Sequence, residues 1–318
     1  MEVNKNMTTT TLEVYKITNT KQIKGCIKVH AWQRVKIVDG STLGSFVSHW
    51  ASVARYGSTD HEQVLPFNPQ FLQSPPATTN FLPHPFLDLN LRCVNPVTRK
   101  FVFPNTKLSD LKNKVVLPST NGGSITNPTR VEVLTSLLYK TAVAAATTAR
   151  SSSSSSKPHF LLIPCNIRKK FVPKLPQTTV GNFIAGFIVM TRHESETSLS
   201  ALVSAIRKQK MKVETIQSQE LARQNLDSMM SRLGNEDLEN VAHRFFCCSS
   251  LCGLGFNNVN FGWGNPAVAS TTYMFSKQSG FILMDTPNGD GIEAWVSLER
   301  QDMKIFQNDK ELLSFCQN

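Results

Sequence analysis

Apolar residues that recur every three or four positions predict the helices of this chain. The first predicted helix follows a turn at residues 39–42 and ends near residue 57. The longest covers about 130–150, begins after Pro128-Thr129 and carries its apolar stripe at steps of three and four. Weaker helical patterns are predicted at 106–114, 198–212, 219–233 and 309–315.

Short apolar or alternating runs between these helices predict strands. Phe160–Pro164 reads as a buried strand, and Gly291–Leu298 places Ile292, Ala294 and Val296 on one face. Further strands are predicted at 27–31, 89–93, 100–103, 244–248, 270–275 and 280–284. Strands and helices alternate with neither a βαβ period nor an internal repeat, which predicts an α+β, sandwich-like pair of domains.

Three stretches read as connections. Residues 58–90 are rich in proline and polar residues, which predicts a long ordered loop, and residues 118–128 form a Ser/Asn/Gly linker. The serine run 151–156 is interpreted as an inserted surface loop, with a regulated linker as the alternative reading.

Composition favours a globular protein. The chain has 318 residues, 40% of them apolar, which is enough for two modest domains or one large one. No run approaches the ~20 apolar residues of a membrane span, and the first residues lack the apolar stretch of a signal peptide. The expectation is a soluble cytoplasmic protein that does not enter a membrane.

Cysteine usage argues against a metal site. The seven cysteines are odd in number and form no CxxC pair, so neither a disulfide framework nor a zinc site is indicated. Cys247, Cys248 and Cys252 lie close in sequence but lack a second group of ligands, and no metal is predicted.

The net charge of +11 raises the question of a polyanionic partner. It describes either a solvated basic surface or a site for a ligand such as nucleic acid or coenzyme A with its phosphates. The basic residues cluster in 21–36 and 168–174 without interleaved aromatics or a recognition helix, so nucleic acid is the weaker candidate.

Three motif-like stretches each have a structural explanation when taken alone. Asp39 before a helix start is a capping residue. Asn260–Pro266 is a tight glycine- and aromatic-rich loop, either a structural corner or the wall of a ligand channel. Asn166 and Arg168 follow a buried strand, where a structural role is favoured over a catalytic one.

In this order, the stretches resemble the BAHD acyltransferases, especially their vinorine-synthase-like branch. The resemblance runs from about residue 35 to 318 and implies a chloramphenicol-acetyltransferase-like two-domain fold whose first domain is incomplete. An alternative start, mis-splicing or a decaying gene copy would each account for the missing N-terminal stretch. The family's HxxxDG, NxR, PxLP, GN and DFGWG motifs match Asp39-Gly40, Asn166–Arg168, Pro173–Pro176, Gly181-Asn182 and Asn260–Gly264.

The resemblance assigns roles to residues and exposes a departure. The family's catalytic histidine falls on Val35, four positions before Asp39, and His30 lies too far along its predicted strand to replace it. The family's motif aspartate is architectural, so Asp39 is predicted to point away from the substrate channel and to pair with Arg168.

A second departure lies in the glycine-rich loop. Asn260 stands where the family has aspartate, so the motif here is Asn260, Phe261, Gly262, Trp263 and Gly264. The amide is expected to keep the hydrogen bonding and lose the charge. Ser249 falls near the family's oxyanion donor, although Leu251 occupies the position of the accompanying tryptophan.

The resemblance therefore implies transfer of an acyl group other than aminoacyl, acetyl above all, from acyl-CoA to an alcohol or amine of a plant specialised metabolite. Val35 implies impaired turnover, and a non-catalytic binding or regulatory protein is the alternative. Acyl-CoA is expected as co-substrate, with no bound cofactor, on a monomer. The predicted segments are an atypical 1–34, a first-domain remnant with crossover at 35–117, and a second domain at 118–318.

Overall fold

The structure is a computed structural model. It describes residues 38–56, 96–116, 125–150, 158–192, 194–213, 215–216, 244–270 and 279–317, four positions between 221 and 228, and the backbone of two short strands near the start. Several sequence predictions fall wholly or largely outside these residues: the helix at 219–233, the strands at 89–93 and 270–275, and the serine run 151–156.

The chain divides into two compact units. One takes in 1–87, 178–182 and 254–274, and the other takes in 88–177, 183–253 and 275–318. The domain boundaries predicted after residues 34 and 117 stay predictions.

The first unit contains an antiparallel strand pair and one long helix. Strand β1 (Leu12–Tyr15) pairs with β2 (Cys26–Val29), which confirms the strand predicted near 27–31. Helix α1 (Gly40–Tyr56) begins at the predicted turn and ends where predicted. Val47 and Ala51 of α1 form a small buried core with Val259 and Phe261.

The second unit is built on a six-stranded sheet of order β3-β8-β7-β6-β4-β5. Neighbouring strands are antiparallel except for β4–β6 and β6–β7, which are parallel. The strands are β3 (Pro96–Pro104), β4 (His159–Asn166), β5 (Ile184–Thr191), β6 (Phe245–Ser250), β7 (Ser279–Asp285) and β8 (Gly291–Glu299).

The helices of this unit include the longest predicted one. They are α2 (Asn105–Val116), α3 (Arg130–Ala149), α4 (Leu199–Val213), α5 (Arg300–Phe306) and α6 (Lys310–Phe315). Helix α3 starts at a capping box: the Thr129 hydroxyl accepts from the Glu132 amide at 3.1 Å, and the Glu132 carboxylate accepts from the Thr129 amide at 2.9 Å.

Helices cover one face of the sheet. The ring of Tyr139 on α3 packs edge-on against Phe246 of β6 at 5.8 Å, and the Thr135 hydroxyl lies 3.3 Å from the Cys248 thiol. Because side chains alternate along a strand, Cys247 and Ser249 point to the opposite face.

The structure confirms the predicted α+β class and adds three elements that the pattern did not predict: β1, β5 and α5. Strand β5 reads as a continuous apolar run, and its identity as a strand comes from pairing along its whole length with β4. Helix α5 has only seven residues, too short to show a helical period.

Candidate active-site region

Asp39 caps helix α1, as its place before the helix predicts. Its Oδ1 accepts a hydrogen bond from the Thr42 amide at 2.9 Å, and its carbonyl accepts from the Leu43 amide at 2.9 Å. The side chain is buried, with 6% exposure. One amide at the helix start is thereby satisfied by a carboxylate, and Gly40 forms the first residue of the helix.

Thr42 joins the helix start to the Gly181-Asn182 segment. Its hydroxyl donates to the Gly181 carbonyl at 2.8 Å and accepts from the Gly181 amide at 3.1 Å. The Asp39 amide also donates to the Gly181 carbonyl at 3.3 Å. Sequence reasoning missed this contact because the partners lie 139 positions apart.

A close backbone approach explains a glycine inside α1. A Cβ added at Gly44 would lie 2.7 Å from the Leu254 carbonyl oxygen, closer than any real Cβ contact. A side chain at this position would therefore push the 254–270 segment off the helix.

Asn260 organises the glycine-rich loop. Its Oδ1 accepts from the Gly262 amide at 2.8 Å and from the Gly264 amide at 3.1 Å. Both glycines have φ near +105°, at +106° and +103°, a region that disfavours residues with a Cβ. The amide oxygen does keep hydrogen bonding in this loop, as expected for asparagine at this position.

The aromatic residues of the loop pack on α1. Phe261 contacts Trp50 edge-to-face at 4.8 Å and stacks on Trp263 at 5.7 Å. Phe261 is buried with 6% exposure. The loop is thus a packed corner.

Arg168 is fully buried in the second unit. Its guanidinium carbon lies 4.7 Å from the centroid of the Phe183 ring, and its backbone N and Nη1 donate to Asn166 Oδ1 at 3.0 and 3.3 Å. The neighbouring Lys169 and Lys174 are exposed. The basic stretch at 168–174 is therefore not one charged surface, because its arginine is interior.

The ion pair predicted between Asp39 and Arg168 stays a prediction. What the structure establishes is that each side chain is buried and each makes hydrogen bonds within its own unit. Val35 and His30 lie outside the described residues, so the position of the family's catalytic histidine also rests on the sequence alone.

Ser249 is buried on the sheet face opposite to α3, with 9% exposure. Burial raises the pKa of the adjacent Cys247 and Cys248 thiols to about 12, and that of Cys252 to about 11. These thiols stay protonated at neutral pH, which disfavours metal ligation and nucleophilic chemistry. Within the described ranges, His, Cys, Asp and Glu side chains form no group that could hold a metal.

The sheet-and-helix arrangement is shared with solved structures. The fold matches the crystal structure of vinorine synthase with a TM-score of 0.68 and 23% identity, over 88% of this chain and 60% of that one. It also matches F. graminearum TRI101 complexed with coenzyme A and T-2 mycotoxin, with a TM-score of 0.59 and 16% identity, over 88% of this chain and 64% of that one.

Sequence comparison identifies the family. The Transferase family profile matches residues 3–313. Akuammiline synthase 1 of Alstonia scholaris is 35% identical over 88% of this chain and 62% of its own length. Acyltransferase Pun1 of Capsicum frutescens is 34% identical over 88% of this chain and 61% of its own length. The chain belongs to the BAHD acyltransferase family.

The chain spans about three-fifths of the length of these relatives, 62% and 61% for the two named. None of the helices in the described part of the chain combines the length and apolar character that crossing a bilayer requires.

Proposed function

We propose that this chain is an acyl-CoA-dependent acyltransferase whose turnover is curtailed by Val35. The donor is acetyl-CoA, bound as a co-substrate, and the acceptor is a hydroxyl or amine of a plant specialised metabolite such as an alkaloid or terpenoid alcohol. The chain acts in the cytoplasm as a monomer. The observation that carries the proposal is the family match over residues 3–313.

The reaction requires a base. As the acceptor oxygen or nitrogen attacks the thioester carbon, its proton must leave, and a positioned histidine contributes roughly 10²–10⁴-fold to such a step. The tetrahedral oxyanion then collapses, the carbon–sulfur bond breaks, and coenzyme A departs as the thiol once it has taken up a proton. Valine at position 35 can neither accept nor return a proton.

The remaining elements of the family's site support an acyltransferase framework. Asp39 still caps α1, and Asn260 still accepts from the loop glycines. Ser249 remains our candidate oxyanion donor: its buried hydroxyl is on the face of the sheet that α3 does not cover, and a hydroxyl can donate to a developing oxyanion.

A non-catalytic function is the second candidate, and Val35 is the observation that favours it. A protein with this framework and no base could bind acyl-CoA or an acceptor without converting it. Binding and turnover must therefore be measured separately.

The experiment uses the purified full chain with radiolabelled acetyl-CoA and a pool of plant alcohols and amines, beside calorimetric titration with coenzyme A. Wild type is compared with Val35→His and, as a size control, Val35→Ala. We expect coenzyme A binding and transfer at a small fraction of the rate of an intact relative. Val35→His is expected to restore only part of that rate.

The outcomes separate the candidates. Binding without transfer in any variant supports the non-catalytic protein. Full turnover by the wild type contradicts the role assigned to Val35. Absence of both binding and transfer overturns both candidates.

A further inference from the structure

A surface cleft beside α1 has a composition suited to an anion. The cleft has a volume of about 160 Å³ and lies between the second half of α1 and residues 258–260. Its polar lining comes from Ser48, Ser52 and Arg55 on the helix and from Asn258 and Asn260 opposite them. Spacings of three and four place the helix residues on one face.

The charge in this cleft is positive. Among the lining residues that the structure describes, Arg55 alone is charged. Its guanidinium carbon stacks 4.9 Å from the centroid of the Tyr56 ring, which also lines the cleft. Stacking uses the face of the guanidinium and leaves the in-plane N–H groups to donate.

Asn260 adds a donor to the same cleft. Its Oδ1 is occupied by the Gly262 and Gly264 amides, so the hydrogen-bonding group that remains on this side chain is the Nδ2 amide. An aspartate here could accept the same two hydrogen bonds but would place a negative charge beside Arg55. With asparagine at 260, no carboxylate stands beside Arg55 among the lining residues that the structure describes.

We propose that this cleft binds a phosphate group, with Arg55 supplying the charge and Ser48, Ser52 and Asn260 supplying further donors. A tetrahedral oxyanion accepts hydrogen bonds from several directions at once, as these side chains require. One water needs about 10–15 Å³ of space measured in this way, so about 160 Å³ accommodates a phosphate. The site is independent of whether the chain transfers acyl groups.

The test follows the phosphorus-31 linewidth of inorganic phosphate with the full chain at constant ionic strength. Methyl phosphate serves in a parallel titration. Arg55→Gln removes the charge, and Asn260→Asp neutralises it while the acceptor for the loop amides is kept. The matched control is Arg99→Gln, which removes an exposed arginine from strand β3.

We expect about tenfold weaker phosphate binding in Arg55→Gln and in Asn260→Asp, because charge-assisted hydrogen bonds are the strongest contacts available here. Arg99→Gln is expected to bind like the wild type. Tighter binding of methyl phosphate would identify an organic phosphate monoester as the ligand, and equal binding would identify the free anion.

Equal broadening in the wild type and both cleft variants, or none in the wild type, would overturn the proposal. Thermal unfolding of each variant establishes that it is folded. Arg55 is exposed, so its substitution keeps the test decisive even if Asn260→Asp disturbs the loop.

Discussion

The two compact units hold their elements together with different interactions. In the described part of the first unit, aromatic rings and hydrogen bonds to backbone groups join the elements: Phe261 packs on Trp50, and the Thr42 hydroxyl binds both polar groups of Gly181. In the second unit, ion pairs join the helices to each other and to the sheet, in addition to the apolar core.

Three ionic clusters illustrate the second unit. Arg150 contacts two carboxylates, Glu299 at 2.6 Å and Asp302 at 2.9 Å. The Glu311 carboxylate forms ion pairs with Lys114 and Lys140, at 2.6 and 2.5 Å. The third cluster joins α4 to the start of α3 through Arg207 and Glu132, at 3.1 Å.

This difference predicts which unit's stability should depend on pH and salt. The aromatic packing described in the first unit does not titrate, so this packing should respond mainly to loss of volume. The clusters of the second unit carry charge, and their stability should follow the protonation of their carboxylates.

The largest effect is expected from Phe261→Ala. Removing a buried aromatic ring costs about 3–5 kcal/mol, and here it leaves Trp50 and Trp263 without their shared partner. Urea unfolding followed by tryptophan fluorescence measures this loss in the free energy of unfolding. Phe46→Ala, which removes a ring of 48% exposure from helix α1, should cost less than about 1 kcal/mol. Equal losses in both variants would contradict the packed corner.

Arg150→Met should cost about 3 kcal/mol at neutral pH, because it strands two carboxylates, one of them with 1% side-chain exposure. Burial already raises the pKa of Asp302, while Arg150 lowers it and Glu299 raises it further. Without Arg150 that pKa rises more.

The sign of the pH dependence follows from this shift. A raised folded pKa contributes stability below the unfolded value, 3.8 here, and loses it as pH rises through the folded value. The Arg150→Met defect should therefore be smaller near pH 4 than at pH 7, as measured by chemical unfolding. Arg99→Met is the control, and a defect independent of pH would argue against the charge mechanism.

Asp39→Ala should cost about 1–2 kcal/mol through loss of the helix cap. Asparagine can cap but carries no charge, so Asp39→Asn isolates the predicted ion pair with Arg168. If that pair exists, Asp39→Asn should also be costly, and a double-mutant cycle with Arg168→Met should show coupling. Val35→Ala should be nearly neutral by comparison. Additive losses in the cycle would refute the pairing.

The smallest effect is expected from Glu311→Gln, about 0.5–1 kcal/mol, because its lysines are partly exposed. Burial works to raise the pKa of Glu311, but hydrogen bonds from Lys114 and Lys140 outweigh it and leave the pKa lowered. Wild-type stability should therefore fall as pH drops below about 4.5, the ordinary value. The Glu311→Gln variant should lose less stability below that pH. Added salt should narrow the difference in stability between the wild type and the variant.

Local patterns in the sequence determined several parts of this protein. The helical period predicted α1 and α3 almost to the residue, since a long amphipathic stripe and a cap specify a helix without reference to distant residues. The motifs, taken in their order along the chain, indicated the family. The Asp39 cap was predictable because its acceptor and donor lie three positions apart.

Other features required the tertiary structure because their partners are remote in sequence. Strand β5 is defined by β4, and Arg150 meets its carboxylates 149 and 152 positions away. Arg168 and Lys169 look alike in the sequence, yet one is buried against Phe183 and the other is exposed. Periodicity describes which side of an element is apolar, whereas burial and ion pairing depend on what the fold brings to that side.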